Sequence, residues 1–276
     1  VITWRKPVSW SKFRMALDCP KALELALAGT PASDPGVSYY SVLGQAVQKV
    51  YEVYFNQRVN LRSTKPETIS KIAQRVIESD WFEDLDKTYP FSVSEETLIT
   101  RIHEDSLSGF DAMDHAGILD KVVTSEVPVR SSYQNLRVFA WADFLTNWPN
   151  KDIELWDGKN NKKKNADPRQ LYWYAMVLMS KGHNIKKGGF IYTKFGESVT
   201  VDLSPPRIME FINTDFQRGR KYFDQLQDGI TAFAANPSKD NCRWCPWRRS
   251  CTASIHYSPP ATTGSEKVGW KDDAEV

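Results

Sequence analysis

The stretch IELWDGKNNKKK, residues 153–164, ends an alternating apolar run on an acid, a glycine and a lysine, with a lysine-rich segment after it. Residues two apart on a strand point to the same side, so Asp157 and Lys159 share one face if the strand continues through them. Taken alone, the tripeptide is weak. Asp-Gly commonly makes a turn and lysine commonly faces water. Its meaning depends on what the rest of the chain brings beside it: a second carboxylate, and a place for nucleic acid.

The second carboxylate is immediately upstream. In QNLRVFAWADFL, residues 134–145, Leu136, Val138, Ala140 and Ala142 alternate with Arg137, Phe139, Trp141 and Asp143. That period of two predicts a strand ending near Asp143. NWPNKD reads as a turn, and IELWD as the returning strand of a hairpin. Asp143 and Asp157 then reach a common region. Two carboxylates can hold a hard divalent cation through oxygen ligands. Such a cation polarises a phosphoryl oxygen and lowers the pKa of an attacking water. Lys159 is placed to stabilise negative charge developing at phosphate.

Downstream, QLYWYAMVLMSKG, residues 170–182, predicts a helix with a glycine end, on which Gln170 and Tyr174 lie one turn apart. The strand ending in Asp143, the strand carrying Asp157 and Lys159, and the helix with Gln170 and Tyr174 together resemble the centre of the RecB/Cas4-like branch of the PD-(D/E)XK nuclease superfamily. The resemblance implies an α/β restriction-endonuclease-like core: a mixed central sheet, N-terminal helices and a C-terminal iron–sulfur clasp. It implies that the two acids bind Mg2+ or Mn2+, that the lysine assists hydrolysis, and that the Gln-x-x-x-Tyr helix supports the site or touches DNA. A helical histidine after glycine is usual in the family. Here the similar segment is Gly44–Glu52, with Gln48 at the histidine position and Glu52 one turn on as a further candidate ligand. GILDK around Asp120 also resembles the family's first-acid strand. Asp143 is preferred because it forms the compact hairpin. Glu126 is a further acidic candidate, and His115 reads as a surface histidine.

A second motif is CRWCPWRRSC: Cys242, Cys245 and Cys251 in a C-x2-C-x5-C spacing, with Cys19 far upstream. Four thiolates suit tetrahedral zinc or an iron–sulfur cluster, and spacing does not separate the two. The resemblance does, because Cas4-like, AddB-like and Dna2-like nucleases carry one upstream cysteine and the same C-terminal spacing around a [4Fe–4S] cluster. The cluster implied here is structural, pinning remote segments of chain.

The 36 basic and 34 acidic side chains among 276 residues leave a formal charge of +2, so any nucleic-acid surface must be a local patch. Lys162, Lys163, Lys164 and Arg169 form one such patch beside the proposed chemistry, and Arg248 and Arg249 another on the cysteine segment. Trp244 and Trp247 are candidate stacking rings. No stretch approaches the roughly 18 apolar residues of a membrane span. The opening VITWRKPVSWSKF lacks a secretory h-region. A cytoplasmic protein is expected, of bacterial, archaeal or viral origin.

Along the chain, residues 9–29 read as one capped helix or two short ones, 40–58 and 66–87 as helical, and 92–130 as short strands with a turn-rich SGFDAMDHAG. GGFIYTKF and ESVTVDL read as two further strands, and the segment from Pro205 to Pro237 as helix. The expected organisation is a single domain over 1–257: a mainly helical part (1–90), the nuclease core (91–205) and a helical and cysteine clasp (206–257). A tail, 258–276, follows. The expected function is a DNA exonuclease in end processing, recombination or repair. No Walker A motif is present, so a helicase or recombination protein would be a partner. The alternatives are a noncatalytic nucleic-acid-binding protein and a Cas4-like adaptation nuclease.

Overall fold

The computed structural model describes residues 6–32, 39–56, 66–83, 94–160, 164–243 and 245–255. Lys162, Lys163, Trp244 and the expected tail lie outside these. The N-terminal segment forms two helices, α1 (Trp10–Asp18) and α2 (Pro20–Leu27). Between them Cys19 is extended and Pro20 opens α2, where its missing N–H costs nothing. Gly29, at φ 66°, closes α2 in the left-handed region. Helix α3 (Tyr39–Asn56) buries Val42, Val47, Val50, Tyr51, Tyr54 and Phe55, the apolar face expected of it. Helix α4 (Pro66–Ile77) follows.

Much of the segment read as short strands and turns is instead one long helix, α5 (Glu95–His115), capped by Ser94, whose hydroxyl accepts the Thr97 N–H at 3.3 Å. His115 lies in its last turn. Asp120 follows, exposed, in a 3-10 turn, Leu119–Lys121.

The sheet comprises β1 (Val122–Tyr133), β2 (Leu136–Thr146), β3 (Asp152–Lys159), β4 (Asn184–Tyr192) and β5 (Glu197–Thr200), in that spatial order. The β2–β3 hairpin is antiparallel, as expected. Helix α6 (Arg169–Met179) carries the chain from β3 to β4, which run parallel, while β1–β2 and β4–β5 are antiparallel. The fold is thus α/β with a mixed central sheet.

Each face of the sheet has its own core. On one, Phe13, Leu155, Trp173, Phe216 and Phe223 bring α1, α6, α7 (Pro205–Phe211), the π-helical turn Ile212–Phe216 and α8 (Gln217–Gln227) together. On the other, Tyr51, Ile72, Phe110, Phe144 and Trp156 join α3, α4 and α5 to the strands. Neighbours in sequence, Leu155 and Trp156, point into opposite cores, so β3 is covered on both sides. The helix expected to run to Pro237 stops at Gln227, and Gly229 turns the chain at φ 82°. A short α9 (Lys239–Arg243) precedes the last cysteines.

Candidate active site

The hairpin ladder pairs Thr146 with Glu154, Leu145 with Leu155 and Phe144 with Trp156. One step further would bring Asp143 opposite Asp157, and there the regular pairing ends. The Asp143 carboxylate instead accepts the Gly158 backbone N–H at 2.8 Å. Asp157 is 1% exposed. Its Oδ1 accepts from Gln170 Nε2 at 2.8 Å, and its Oδ2 forms an ion pair with the Lys159 ammonium. Gln170 in turn donates to the Tyr174 hydroxyl at 2.9 Å, one helical turn along α6. The residues read as Asp–Asp–Lys and Gln-x-x-x-Tyr thus converge on one point, held by the fork of β2 and β3 and the first two turns of α6.

Gln48 reaches this point from the opposite face of the sheet. A Cβ on Gly158 would lie 3.0 Å from Gln48 Oε1, so glycine allows α3 its close approach. Glu126 arrives from β1. The pairs Ser125–Phe144 and Val127–Ala142 flank it, which puts it level with Asp143, and its own backbone is left-handed at φ 56°. A glutamate in that conformation is uncommon and carries strain. Glu52, by contrast, is engaged by Lys49 at 2.8 Å.

These groups perturb one another. Burial raises the pKa of Asp143 well above the usual carboxyl range; Asp157 and Glu126 add to this, against Lys159 and the Gly158 N–H. Asp157 is raised by burial against the pull of Lys159. Glu126 is raised by burial, with the Gln48 amide working the other way. Burial disfavours the Lys159 charge, but Asp157 and Asp143 outweigh it and its pKa rises. Burial also raises the Tyr174 phenol, and the carboxylates add to this. Shifted acids clustered around one ammonium mark this point as a candidate site for acid–base chemistry.

The remaining predicted contacts are scattered. Lys164 pairs with Glu197 and lies 5.5 Å from the Phe195 ring. Arg169 is held by Asp167 at 2.7 Å and Asp18 at 3.3 Å. Arg248 donates to the Arg243 carbonyl at 2.7 Å, and Arg249 is exposed on the same turn. Trp247 is buried and donates to the Thr30 carbonyl at 2.9 Å, so it is packing and not a stacking surface.

The expectation of metal cofactors is corrected at both places. Among the described residues, no group of three or more His, Cys, Asp or Glu side chains is placed to hold a metal ion. For Mg2+ or Mn2+ at Asp143, Asp157, Gln48 and Glu52, the donor atoms are engaged elsewhere. Gln170 and Lys159 occupy both Asp157 oxygens, Glu52 pairs with Lys49, and Gln48 offers only an amide. For the [4Fe–4S] cluster, Cys19, Cys242, Cys245 and Cys251 line one small cavity as free thiols. Cys19 Sγ accepts the Asn236 N–H at 3.4 Å. Burial raises the Cys245 thiol pKa against the Trp247 backbone N–H, and the three neighbouring cysteines add to the rise. Hydrogen bonds tie this segment to the N-terminal helices instead. Asn236 and Asn241 both donate to the Asp18 carbonyl, at 2.9 and 2.7 Å, and Phe233 N donates to Glu24 at 2.7 Å.

A family profile described as the PD-(D/E)XK nuclease superfamily matches residues 7–252. The chain belongs to this superfamily. Comparison with curated proteins gives no match. The match takes in the described sheet, α6 and the cysteine segment, so the fork of β2 and β3 lies inside a PD-(D/E)XK core. Among the described residues no helix is long and apolar enough to cross a membrane.

Two acids of this nuclease-superfamily fold were weakly signalled by sequence. Glu126 stands out only through its left-handed backbone and its level with Asp143, neither of which is visible locally. Asp105, buried on α5, accepts from Asn160 Nδ2 at 2.8 Å and fixes the residue after Lys159. That pair spans 55 residues, and no short-range pattern announces it.

Proposed function

We propose that the chain is a DNA nuclease that hydrolyses phosphodiester bonds, acting as an exonuclease on DNA ends during recombination or repair, with residues 1–257 working as one domain. The observation that carries this reading is the convergence of Asp143, Asp157 and Lys159 at the fork of two strands, with Gln170 orienting Asp157. Asp143 is the general base: a carboxylate of raised proton affinity, suited to taking a proton from an attacking water. Lys159 places its ammonium against the charge that develops on the phosphoryl oxygens. Asp157 holds that ammonium in place, and the Gln170–Tyr174 pair fixes Asp157. A helicase or recombination protein would deliver the DNA, since the chain has no phosphate-binding loop of its own.

The test compares linear and covalently closed single-stranded DNA, labelled uniformly, with and without added divalent cation. The expected result is release of mononucleotides or short fragments from the linear form while circles persist. Cleavage of circles at the same rate would replace the exonuclease reading with an endonuclease. Tight DNA binding with no cleavage under any of these conditions would leave a noncatalytic binding protein.

A further inference from the structure

The outward face of the β1–β2 ribbon carries side chains that the chemistry above does not use. On the inward face of β2, Leu136, Val138, Ala140 and Ala142 are buried in the core. On the outward face, register sets Pro128 beside Trp141, Arg130 beside Phe139 and Ser132 beside Arg137. Trp141 is 46% exposed, which leaves a large aromatic surface in water. Its ring meets Phe139 edge-on, with centroids 5.8 Å apart at 69°, and the Arg130 guanidinium lies 5.8 Å from the Phe139 ring. Arg130 and Arg137 are both exposed. The strip is therefore aromatic along its middle and basic beyond.

Its inner end touches the site. The Trp141 indole N–H donates to the Glu126 carboxylate, and Glu126 is level with Asp143. A polymer lying along the strip would reach the fork of β2 and β3 without a break.

We infer that this ribbon face is a stacking platform for unpaired bases of the DNA strand whose backbone enters the site, with Trp141 as the principal ring. The inference rests on the nuclease reading. Charge and continuity select the occupant. Arginines beside the rings match a phosphodiester chain, and the strip runs into the residues proposed to cut one. A base presents its face to a ring only when it is out of a duplex, so the platform favours single-stranded over paired DNA. Arg130 and Arg137 contact phosphate and carry no sequence preference.

The experiment measures equilibrium binding in the Asp157→Ala background, which removes cleavage from the readout. Fluorescence anisotropy compares a labelled single-stranded oligonucleotide with a blunt hairpin duplex. A second oligonucleotide carries 2-aminopurine, whose emission is quenched when it stacks. Adding Trp141→Ala is expected to weaken single-strand binding by about tenfold, as loss of one base–aromatic stack does. The 2-aminopurine quenching is expected to disappear, with duplex binding unchanged. Adding Trp141→Phe keeps a ring and is expected to hold single-strand affinity within about threefold of the parent. Thermal melting checks that each variant is folded. The proposal is overturned if Trp141→Ala binds and quenches as the parent does, or if single-strand and duplex affinities fall together. It is overturned as well if Trp141 instead controls association with a second copy of this chain. Failure of the nuclease reading is a separate result: no cleavage by the unsubstituted chain, whatever Trp141 does to binding.

Discussion

Asp143 sits at the site against its own solvation. Burial and two neighbouring acids raise its folded pKa above that of an unfolded aspartate, so ionisation at neutral pH costs folded-state stability. The sign follows from linkage. A raised folded pKa contributes stability below the unfolded pKa, near 4, and that contribution is lost as pH rises through the folded value. Asp143→Asn keeps an oxygen to accept the Gly158 N–H and removes the charge. Its expected effect at neutral pH is a melting temperature higher by roughly 2–4 °C, together with loss of at least about a hundredfold in DNA cleavage. Scanning calorimetry beside a cleavage assay checks both signs. Lys159 and the acid it pairs with were legible because their spacing is local: two residues on a strand. Gln170 and Tyr174 were legible for the same reason, at helical spacing. Glu126 was less so, because a left-handed strand residue obeys neither period and its partner lies on another strand.

Helix α5 shows at the level of elements why local signals mislead. SGFDAMDHAG has the glycines and short polar residues of a turn, yet it lies almost wholly inside a helix that continues to His115. Gly109 is there for packing. A Cβ at that position would stand 1.9 Å from the Tyr51 hydroxyl oxygen, which donates to the Asp105 and Ser106 carbonyls at 3.2 Å. The glycine lets α3 and α5 approach where both pack against the sheet. Gly109→Ala should raise helix propensity and still destabilise the fold, by about 1–3 kcal/mol, because Tyr51 is fully buried and has nowhere to move. Urea denaturation distinguishes this from a turn glycine with open space around it. The hairpin of β2 and β3, by contrast, was readable as alternation, a turn and alternation again, although β2 runs on to Thr146, past the end expected near Asp143.

Over the whole molecule, the N-terminal α1 and the late helix α8 share one core. The Phe13 ring of α1 lies tilted against Trp173 on α6, with centroids 4.5 Å apart, and stacks with Phe216 at 5.7 Å and with Phe223 on α8 at 6.2 Å. Gly219 leaves room for its ring, since a Cβ there would lie 2.5 Å from Phe13 Cζ. Phe13→Ala should therefore cost about 3–5 kcal/mol and loosen the N- and C-terminal segments together, seen as one cooperative unfolding step at lower denaturant. The cysteine spacing marks this junction, but the [4Fe–4S] cluster implied there by the family resemblance is not what the described residues are placed to hold. What joins the segments is amide hydrogen bonding to the Asp18 carbonyl and aromatic packing, and neither leaves a sequence motif.

The central claim is that Asp157, held between Lys159 and Gln170, is part of a phosphodiester-cleaving centre. Single-turnover cleavage of end-labelled single-stranded DNA by the unsubstituted chain and by Asp157→Ala tests it most directly, with both proteins shown to be folded and to bind the DNA. The expected result is cleavage by the first and a fall of at least about a hundredfold in the second. Equal cleavage by both proteins would contradict the account.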